Sequence, residues 1–294
     1  QYLGGILKKQ VKFADDCVGE QAAAIAANLN PGEILMLENL RFHSEEEAND
    51  PEFSEKLAAL ADIYVNDGFG VSHRAHASVE GVTHFLPAVA GMLLEKEIKF
   101  VGQAVANPQR PFAAIIGGAK VSDKIGVIDN LIDKVDVLVI GGGMANTFLA
   151  AQGKNMGKSL VEPDKYTLAT ELIAKAQAKN VKLLLPVDMV VAEAFAEDAK
   201  NKVCDIDSVP AAWMALDIGP KTCQIYAEAL KNMQQIVWNG PMGVFEMKAF
   251  CGGTEAVAKA VAGSKAISIV GGGDSVAAIE KLGLAENITH ISTG

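Results

Sequence analysis

The sequence predicts an α/β protein of two Rossmann-like domains, each a mostly parallel sheet with helices on both faces, joined by a long helix. Apolar runs rich in Val, Ile and Leu recur with little alternation, which is typical of strands covered on both faces. Segments with helical periodicity separate these runs, as in parallel sheets. Three of the runs end in glycines that lead directly into a helix start, at 112–127, 136–148 and 266–276.

Composition narrows the classes of function. The chain has 294 residues, of which 50% are hydrophobic, and a formal net charge of −10. This charge argues against a broad nucleic-acid surface, although local cations can still hold a small anion in a cleft. Neither a membrane-spanning stretch nor a signal-peptide pattern is visible, and the four cysteines form no CxxC pair. We therefore expect a cytoplasmic protein with reduced thiols, acting on small molecules without a nucleic-acid or membrane partner.

The first part of the chain predicts strands at 11–14, 34–38 and 63–66, with helices at 19–28 and 53–61. The first helix ends at Asn30-Pro31-Gly32, a strong stop signal. Arg41 and Arg74 lie in the polar loops 41–50 and 68–81, and arginine suits bidentate binding of phosphate or carboxylate. His73 and His76 are close together in sequence and lack cysteine or carboxylate company, so we interpret them as bonded to backbone and not to zinc.

A long helical period without a glycine break covers 88–106. Such a helix between two sets of strands and helices is a good connector, and a hinge candidate. We therefore predict a partial first domain at 1–87, a connecting helix at 88–106 and a second domain at 107–294. The alternative is an ordinary long helix inside one domain.

The glycine turn at 266–278 predicts an anion site. A strand that runs into glycines and then a helix leaves free backbone N–H groups pointing at one spot, which attracts phosphate. Asp274 in this turn is a candidate ligand for Mg²⁺ bound to a nucleotide phosphate. The alternative is a helix N-cap with no ligand.

Lys120 and Lys124 follow the first glycine turn. Their spacing of four predicts one shared helix face, where two ammonium groups would suit a polyphosphate. A pair of solvated lysines is the alternative. None of the turns fits GxGxxG or the GxxxxGK[ST] phosphate loop, which disfavours both a dinucleotide-dependent oxidoreductase and a P-loop enzyme.

The segment 238–246, WNGPMGVFE, predicts a turn after a strand, followed by an apolar run that a base or ribose could cover. Glu246 could then accept ribose hydroxyls. The alternative is a buried loop with a surface glutamate.

With these motifs the chain resembles the phosphoglycerate kinases. The match covers essentially all 294 residues in family order: LENLRF, VNDGFGVSHRAHAS, PAVAGMLLEKE, IIGGAKVSDKI, VIGGGMANTF, LPVD, LDIGPKT, VWNGPMGVFE and IVGGGDS. The resemblance implies a two-domain glycolytic kinase, a monomer, that transfers a phosphoryl group reversibly between 1,3-bisphosphoglycerate and Mg-ADP, giving 3-phosphoglycerate and ATP. Closure of the two domains would exclude water.

The resemblance also implies roles for individual residues. Arg41 and Arg74 match the phosphoglycerate-binding arginines, Asp274 the magnesium ligand, and Glu246 the ribose ligand. Lys120, Gly272 and Gly273 match the catalytic group that stabilises the transferring phosphoryl. The nucleotide would contact Gly118, Ala119, Lys120, Lys124, Gly142, Gly143, Ala215, Asn239, Pro241, Val244, Glu246, Gly272, Gly273, Asp274 and Ser275.

The chain departs from the family pattern at both ends and at two internal positions, one of which is Gly68 in VNDGFG, where alanine is common. The amino-terminal segment with further substrate groups and the glycine-rich carboxyl tail are missing, so we expect a piece of a longer chain. Ala215 stands where the family usually has a nucleotide-contacting glycine, which puts one main-chain contact in doubt. The rival hypothesis is a nucleotide-binding fragment without catalysis. A titration with Mg-ADP, NAD and 3-phosphoglycerate would separate these functions.

Overall fold

The structure, a computed structural model, describes residues 1–294. Its contacts divide the chain into two compact units: Gln1–Ile98 together with Gly294, which we call the first unit, and Lys99–Thr293, the second unit. The division falls inside the segment 88–106. The predicted domain limits at 87 and 107 stay a prediction.

The first unit contains two small parallel sheets, in which β1 pairs with β2 and β3 pairs with β4. Its strands confirm the three predicted from the sequence, and its small apolar core surrounds Cys17, Phe53 and Ala77. The elements in order are α1 Tyr2–Leu7, β1 Val11–Phe13, α2 Glu20–Ala27, β2 Ile34–Met36, a 3₁₀ turn Leu40–Phe42, α3 Ser44–Glu47, α4 Pro51–Ala58, β3 Tyr64–Asn66, 3₁₀ turns Phe69–Val71 and Gly81–His84, β4 Ala88–Ala90 and α5 Met92–Glu97.

The helix predicted over 88–106 was wrong at its start. Residues Ala88–Ala90 form β4, because β3 offers them a parallel edge for backbone hydrogen bonds. The helix begins only at Met92, where Asp67 Oδ1 accepts the Leu93 and Leu94 amides at 2.7 and 3.0 Å. From there the chain is helical to Ala106, through a π-helical turn at Ile98–Gly102 and then α6 Gln103–Ala106.

The second unit is built on a six-stranded sheet with the order β13-β12-β11-β5-β6-β7, in which all pairs are parallel. A separate antiparallel sheet has the order β10-β8-β9. The elements after α6 are β5 Phe112–Ile116, α7 Ile125–Ile132, β6 Val137–Ile140, α8 Gly142–Ala151, α9 Tyr166–Ala178, β7 Lys182–Leu184, β8 Asp188–Ala192, β9 Asn201–Asp205, β10 Met214–Ile218, α10 Pro220–Leu230, β11 Gln235–Asn239, α11 Gly252–Ala262, β12 Ile267–Gly271, α12 Gly273–Lys281 and β13 His290–Ile291.

Strand β5 shows why this sheet reads as continuous apolar runs. Phe112, Ala114 and Ile116 belong to one buried apolar cluster, and Ala113 and Ile115 belong to another on the opposite face. Both faces are therefore covered, which confirms the predicted layers. The segment 182–192, KLLLPVDMVVA, is also apolar but forms two strands. It divides between β7 and β8, which belong to different sheets, and Pro186, which lacks a backbone N–H, lies between them.

None of the helices combines the length and the apolar character that a membrane crossing demands.

Candidate functional site

The glycine turns of the second unit meet at one edge of the parallel sheet, because β12, β11, β5 and β6 are neighbours and all end there. The loop after β11 links two of the turns through backbone hydrogen bonds. Gly117 N donates to Asn239 O at 2.9 Å, Gly118 N to Pro241 O at 3.0 Å, and Gly142 N to Met242 O at 3.0 Å. Backbone pairing thus joins these turns directly to one another.

Gly142 shows how closely the turns approach. Its φ is +69°, in the left-handed region that glycine favours. A Cβ at this position would lie 2.6 Å from Gly118 N and 2.9 Å from Pro241 O. The close contact of the two turns therefore requires glycine here.

The third turn, at Gly272, joins the same edge through Ser275. The Ser275 hydroxyl is buried and accepts the Gly240 amide at 2.6 Å, so it links α12 to the loop after β11. Asp274, the neighbouring residue, is exposed and lines the cavity described below. An exposed carboxylate oxygen is a hard ligand of the kind that Mg²⁺ prefers, so Asp274 could hold this ion.

Lys124 lies at the centre of the turns. Its Nζ donates to Gly117 O at 2.9 Å and to the side-chain oxygen of Asn239 at 2.5 Å. Burial lowers the pKa of Lys124, and the opposing charge of Asp274 acts to raise it. The prediction of one helix face shared with Lys120 was wrong, because α7 begins only at Ile125. Lys120 lies in the turn before it and is exposed.

These turns border a cavity of about 670 Å³, which falls within the range of small-molecule sites. Nine of the predicted site residues line it: Gly118, Ala119, Gly142, Gly143, Ala215, Pro241, Val244, Glu246 and Asp274. Six others belong to the turns but not to its lining: Lys120, Lys124, Asn239, Gly272, Gly273 and Ser275. The cavity is thus bounded by the turns on one side and elsewhere mainly by apolar side chains, with a few polar ones among them.

The sequence does not predict the apolar part of the wall. It is made by side chains from β8, β10 and the loops α8–α9, β8–β9 and β11–α11: Leu160, Met189, Phe195, Met214, Leu216 and Met247. Most of these residues lie outside the glycine turns, and an apolar residue in a strand predicts a core position equally well. Asn146 also lines the cavity; its Nδ2 donates to Leu160 O at 3.2 Å, and its buried Oδ1 has no hydrogen-bond partner.

Asp217 is a second missed residue of the wall. It is 4% exposed, and its carboxylate accepts the Ile218 amide at 2.9 Å and the Gly253 amide at 2.7 Å. Burial raises the pKa of Asp217 to about 7, against the effect of these two hydrogen bonds. The wall of the cavity therefore contains a carboxyl group that changes charge near neutral pH.

The two predicted arginines lie in the first unit. Arg41 belongs to the 3₁₀ turn Leu40–Phe42, where Asn39 Oδ1 accepts its amide at 3.0 Å, and its side chain is 46% exposed. Arg74 is also exposed, and its amide donates to Val71 O at 3.0 Å. Both guanidinium groups are available to an anion.

A further group in the first unit could hold a metal ion: the donor atoms of Asp16, Cys17 and His43 lie within 4.8 Å of one another. The sequence did not predict this grouping. His43 Nε2 and Asp16 Oδ1 are 2.7 Å apart, and Cys17 packs in the apolar core. A hydrogen bond and a core thiol account for these contacts without an ion.

Comparisons with known proteins agree with the geometry. The family model for phosphoglycerate kinase matches residues 1–294. A phosphoglycerate kinase of Moorella thermoacetica is 64% identical over 292 residues, which are 99% of this chain and 74% of the relative. A cytosolic phosphoglycerate kinase of Triticum aestivum is 56% identical, with the same shares covered.

Two solved structures are similar throughout. The phosphoglycerate kinase of Coxiella burnetii superposes with a TM-score of 0.89 at 44% identity, covering 99% of this chain and 74% of that one. That of Pyrococcus horikoshii OT3 gives 0.83 at 34% identity, covering 100% and 75%.

Proposed function

The chain belongs to the phosphoglycerate kinase family, and from that premise we propose how its residues carry the reaction. The predicted family, fold class and activity are confirmed: this is an ATP-dependent kinase of glycolysis. It transfers a phosphoryl group reversibly between 1,3-bisphosphoglycerate and ADP, giving 3-phosphoglycerate and ATP. The family uses a magnesium nucleotide. The rival oxidoreductase hypothesis is wrong.

We propose that the nucleotide occupies the cavity of the second unit. The observation that carries this is the convergence of the glycine turns on a cavity that also has an apolar wall. Glycine turns that end parallel strands suit phosphates, and the apolar wall suits a base. Glu246, exposed at the cavity lining, would accept the ribose hydroxyls.

Asp274 would hold Mg²⁺ beside the phosphates. When bound, this ion neutralises phosphate oxygens during transfer. Lys124 sits among the turns and would contribute a fixed positive charge to the phosphate region. Lys120, with the backbone of Gly272 and Gly273, would stabilise the transferring phosphoryl group. Its exposed ammonium has no hydrogen-bond partner to give up, so it can follow developing charge.

Arg41 and Arg74 would bind the phosphoglycerate in the first unit. Both are exposed, and a guanidinium matches the geometry of phosphate and carboxylate. Hinge closure of the two units, a monomeric state and the absence of nucleic-acid and membrane partners stay predictions. From the cytosolic relative of Triticum aestivum we infer a cytoplasmic location for this chain.

Calorimetric titration of single variants tests the two half-sites. Asp274→Asn should weaken Mg-nucleotide binding by about 1–3 kcal/mol, the scale of a lost contact to a charged group, and leave 3-phosphoglycerate binding unchanged. Arg41→Ala and Arg74→Ala should do the reverse. Equal loss of both ligands in any one variant would contradict the assignment.

Kinetics test the role of Lys120. An interaction made in the transition state appears in kcat and not in ground-state binding. Lys120→Ala should therefore lower kcat about 10²–10³-fold, the range for one lost transition-state donor, with a smaller change in ADP affinity. Normal kcat with a raised KM for ADP would show instead that this lysine binds the substrate in its ground state.

A further inference from the structure

Glu46 is a buried carboxylate that joins the two arginine-bearing segments of the first unit. It is 3% exposed. Its Oε2 accepts the Ser78 amide at 2.9 Å, and its Oε1 accepts the Ser78 hydroxyl at 2.5 Å. Its main-chain oxygen accepts the Ala77 amide at 2.9 Å. The segment that follows Arg41 is thus bonded at three points to the segment that follows Arg74.

The burial of Glu46 is specific to this position. It is one of three successive glutamates in α3, and its neighbours Glu45 and Glu47 are exposed. A buried carboxylate is costly unless its oxygens are hydrogen-bonded, and here both are. The nearest cation candidate is His76, whose Nδ1 lies 3.7 Å from Oε1. The structure therefore places a carboxyl group in the interior, where its oxygens bond the segment that follows Arg74.

The two arginines depend on their backbone for position. Arg41 Nε is 3.9 Å from Glu47 Oε1, a weak and exposed contact, and Arg74 Nε is 3.4 Å from a ring nitrogen of its neighbour His73. Exposed pairs of this kind hold a side chain loosely. The spacing of the two guanidinium groups is therefore set by the main chain, and Glu46 is five residues from Arg41 and Ser78 four from Arg74.

We propose that Glu46 is a positioning residue for phosphoglycerate binding: by bonding Ser78 and Ala77 it fixes the spacing of Arg41 and Arg74. The inference rests on the proposed function of these arginines and adds a residue that touches neither the ligand nor the nucleotide site. Loss of the carboxylate would remove both bonds to Ser78 and leave the main-chain bond from the Ala77 amide, so the two segments could shift and both guanidinium groups would no longer fit one ligand.

The test is steady-state kinetics of the kinase with 3-phosphoglycerate and ATP each varied in turn. A misplacement of about 1 Å can cost about 10²-fold, so Glu46→Ala, which loosens two segments without removing an arginine, should raise the KM for 3-phosphoglycerate about tenfold. The KM for ATP should stay within about twofold, because the nucleotide residues belong to the second unit. A general loss of stability would not select one substrate.

Two variants distinguish position from charge and bulk. Glu46→Gln can still accept the Ser78 amide and donate to its hydroxyl, so it should restore most of the affinity. Glu45→Ala, an exposed neighbour with the same change of charge, should behave as wild type. Ser78→Ala keeps the amide bond and loses only the hydroxyl bond, so it should raise the KM for 3-phosphoglycerate about threefold, as for a lost hydrogen bond. If Glu46→Ala does not fold, Ser78→Ala still tests the proposal.

The outcomes separate the inference from its premise. If Arg41→Ala and Arg74→Ala raise the KM for 3-phosphoglycerate but Glu46→Ala and Ser78→Ala match Glu45→Ala, Glu46 is not a positioning residue. If neither arginine variant changes this KM, the proposed phosphoglycerate site is itself wrong. Parallel increases in both KM values for Glu46→Ala would also overturn the proposal, since they indicate general damage.

Discussion

The two units hold their ligand-binding groups by different means. In the second unit, backbone hydrogen bonds between glycine turns fix the site, and the turns end neighbouring strands of one six-stranded sheet. In the first unit the sheets have two strands each, and the arginines lie on 3₁₀ turns and loops. In this unit, side-chain carboxylates hold neighbouring segments in place: Glu46 accepts hydrogen bonds from Ser78, and Asp67 accepts hydrogen bonds from the amides that begin α5.

This difference determines which substitutions each half tolerates. A site built from backbone is sensitive to any added side-chain volume, because no neighbour can rotate away. A site held by carboxylates is sensitive to loss of a hydrogen-bond acceptor, and tolerates added volume at its exposed rim. Substitutions of glycine and of buried carboxylates therefore test the comparison directly.

The largest effect is expected from Gly142→Ala. The new Cβ would meet Gly118 and Pro241 backbone atoms at 2.5–2.9 Å, with a positive φ in addition. Strain of this kind costs up to about 3 kcal/mol, so the variant should unfold at clearly lower urea and lose Mg-ADP binding. Gly153→Ala is the matched control: its φ is +85° but nothing lies within 4 Å. It should cost about 1 kcal/mol and leave Mg-ADP binding intact; equal effects of the two would show that packing of the turns is unimportant.

The fold of the second unit was largely predictable, because buried parallel strands impose a long apolar run that the sequence displays. Short elements were less so. Ala88–Ala90 has helical composition and helical continuation, and only the edge of β3, distant in sequence, makes it a strand. A local sequence pattern does not reveal pairing with a distant strand. Pro186 is the opposite case, because it is a local signal that marks the break between β7 and β8.

The residues of the candidate site also fall into a predictable and an unpredictable group. Glycine turns are easy to recognise in a sequence, because few other functions require such runs of glycine. Gly118, Gly142 and Asp274 do line the cavity. Side chains whose role depends on their burial are not recognisable in this way. Glu46 sits in the run SEEE, which reads as a solvated surface, and Asp217 reads as a strand residue. Their surroundings come from segments about 30 residues away, and burial is a property of the folded chain alone.

Asp217 predicts a pH dependence of stability in the second unit. Below about pH 4 the carboxyl is protonated in both states. Between pH 4 and 7 the unfolded chain releases this proton while the folded state keeps it, because burial raises the folded pKa to about 7. The free energy of unfolding should therefore fall as pH rises, by about 1.4 kcal/mol per pH unit relative to Asp217→Asn. Urea denaturation at pH 5, 6, 7 and 8 measures this; a constant difference between the two proteins would contradict a titrating Asp217.

Glu162 is a carboxylate that supports a turn in the second unit, where most of the turn contacts are made by backbone. Its Oε2 accepts the Val121 amide at 2.6 Å and the Ser122 amide at 3.1 Å, directly after Lys120. Glu162→Ala should cost about 1–2 kcal/mol of stability and raise the KM for ATP or lower kcat, with the KM for 3-phosphoglycerate unchanged. Glu171→Ala, exposed on α9, is the control. Selective loss of 3-phosphoglycerate affinity in Glu162→Ala would remove the separation of the two units on which the comparison rests.

The smallest effect is expected from Gly126→Ala, and its sign is opposite to that of Gly142→Ala. Gly126 lies in α7, is exposed, and a Cβ there would meet no atom within 4 Å. Alanine is the better helix former, so the variant should gain about 0.5–1 kcal/mol in the free energy of unfolding, toward the lower value because the residue lies in the first turn. Mg-ADP affinity and kcat should match wild type. The rest of α7 and strand β6 separate the two glycines along the chain, so opposite signs would localise the backbone constraint to the turns that meet at the sheet edge. A loss of stability in Gly126→Ala would instead mean that the constraint extends into the helix that follows Lys124.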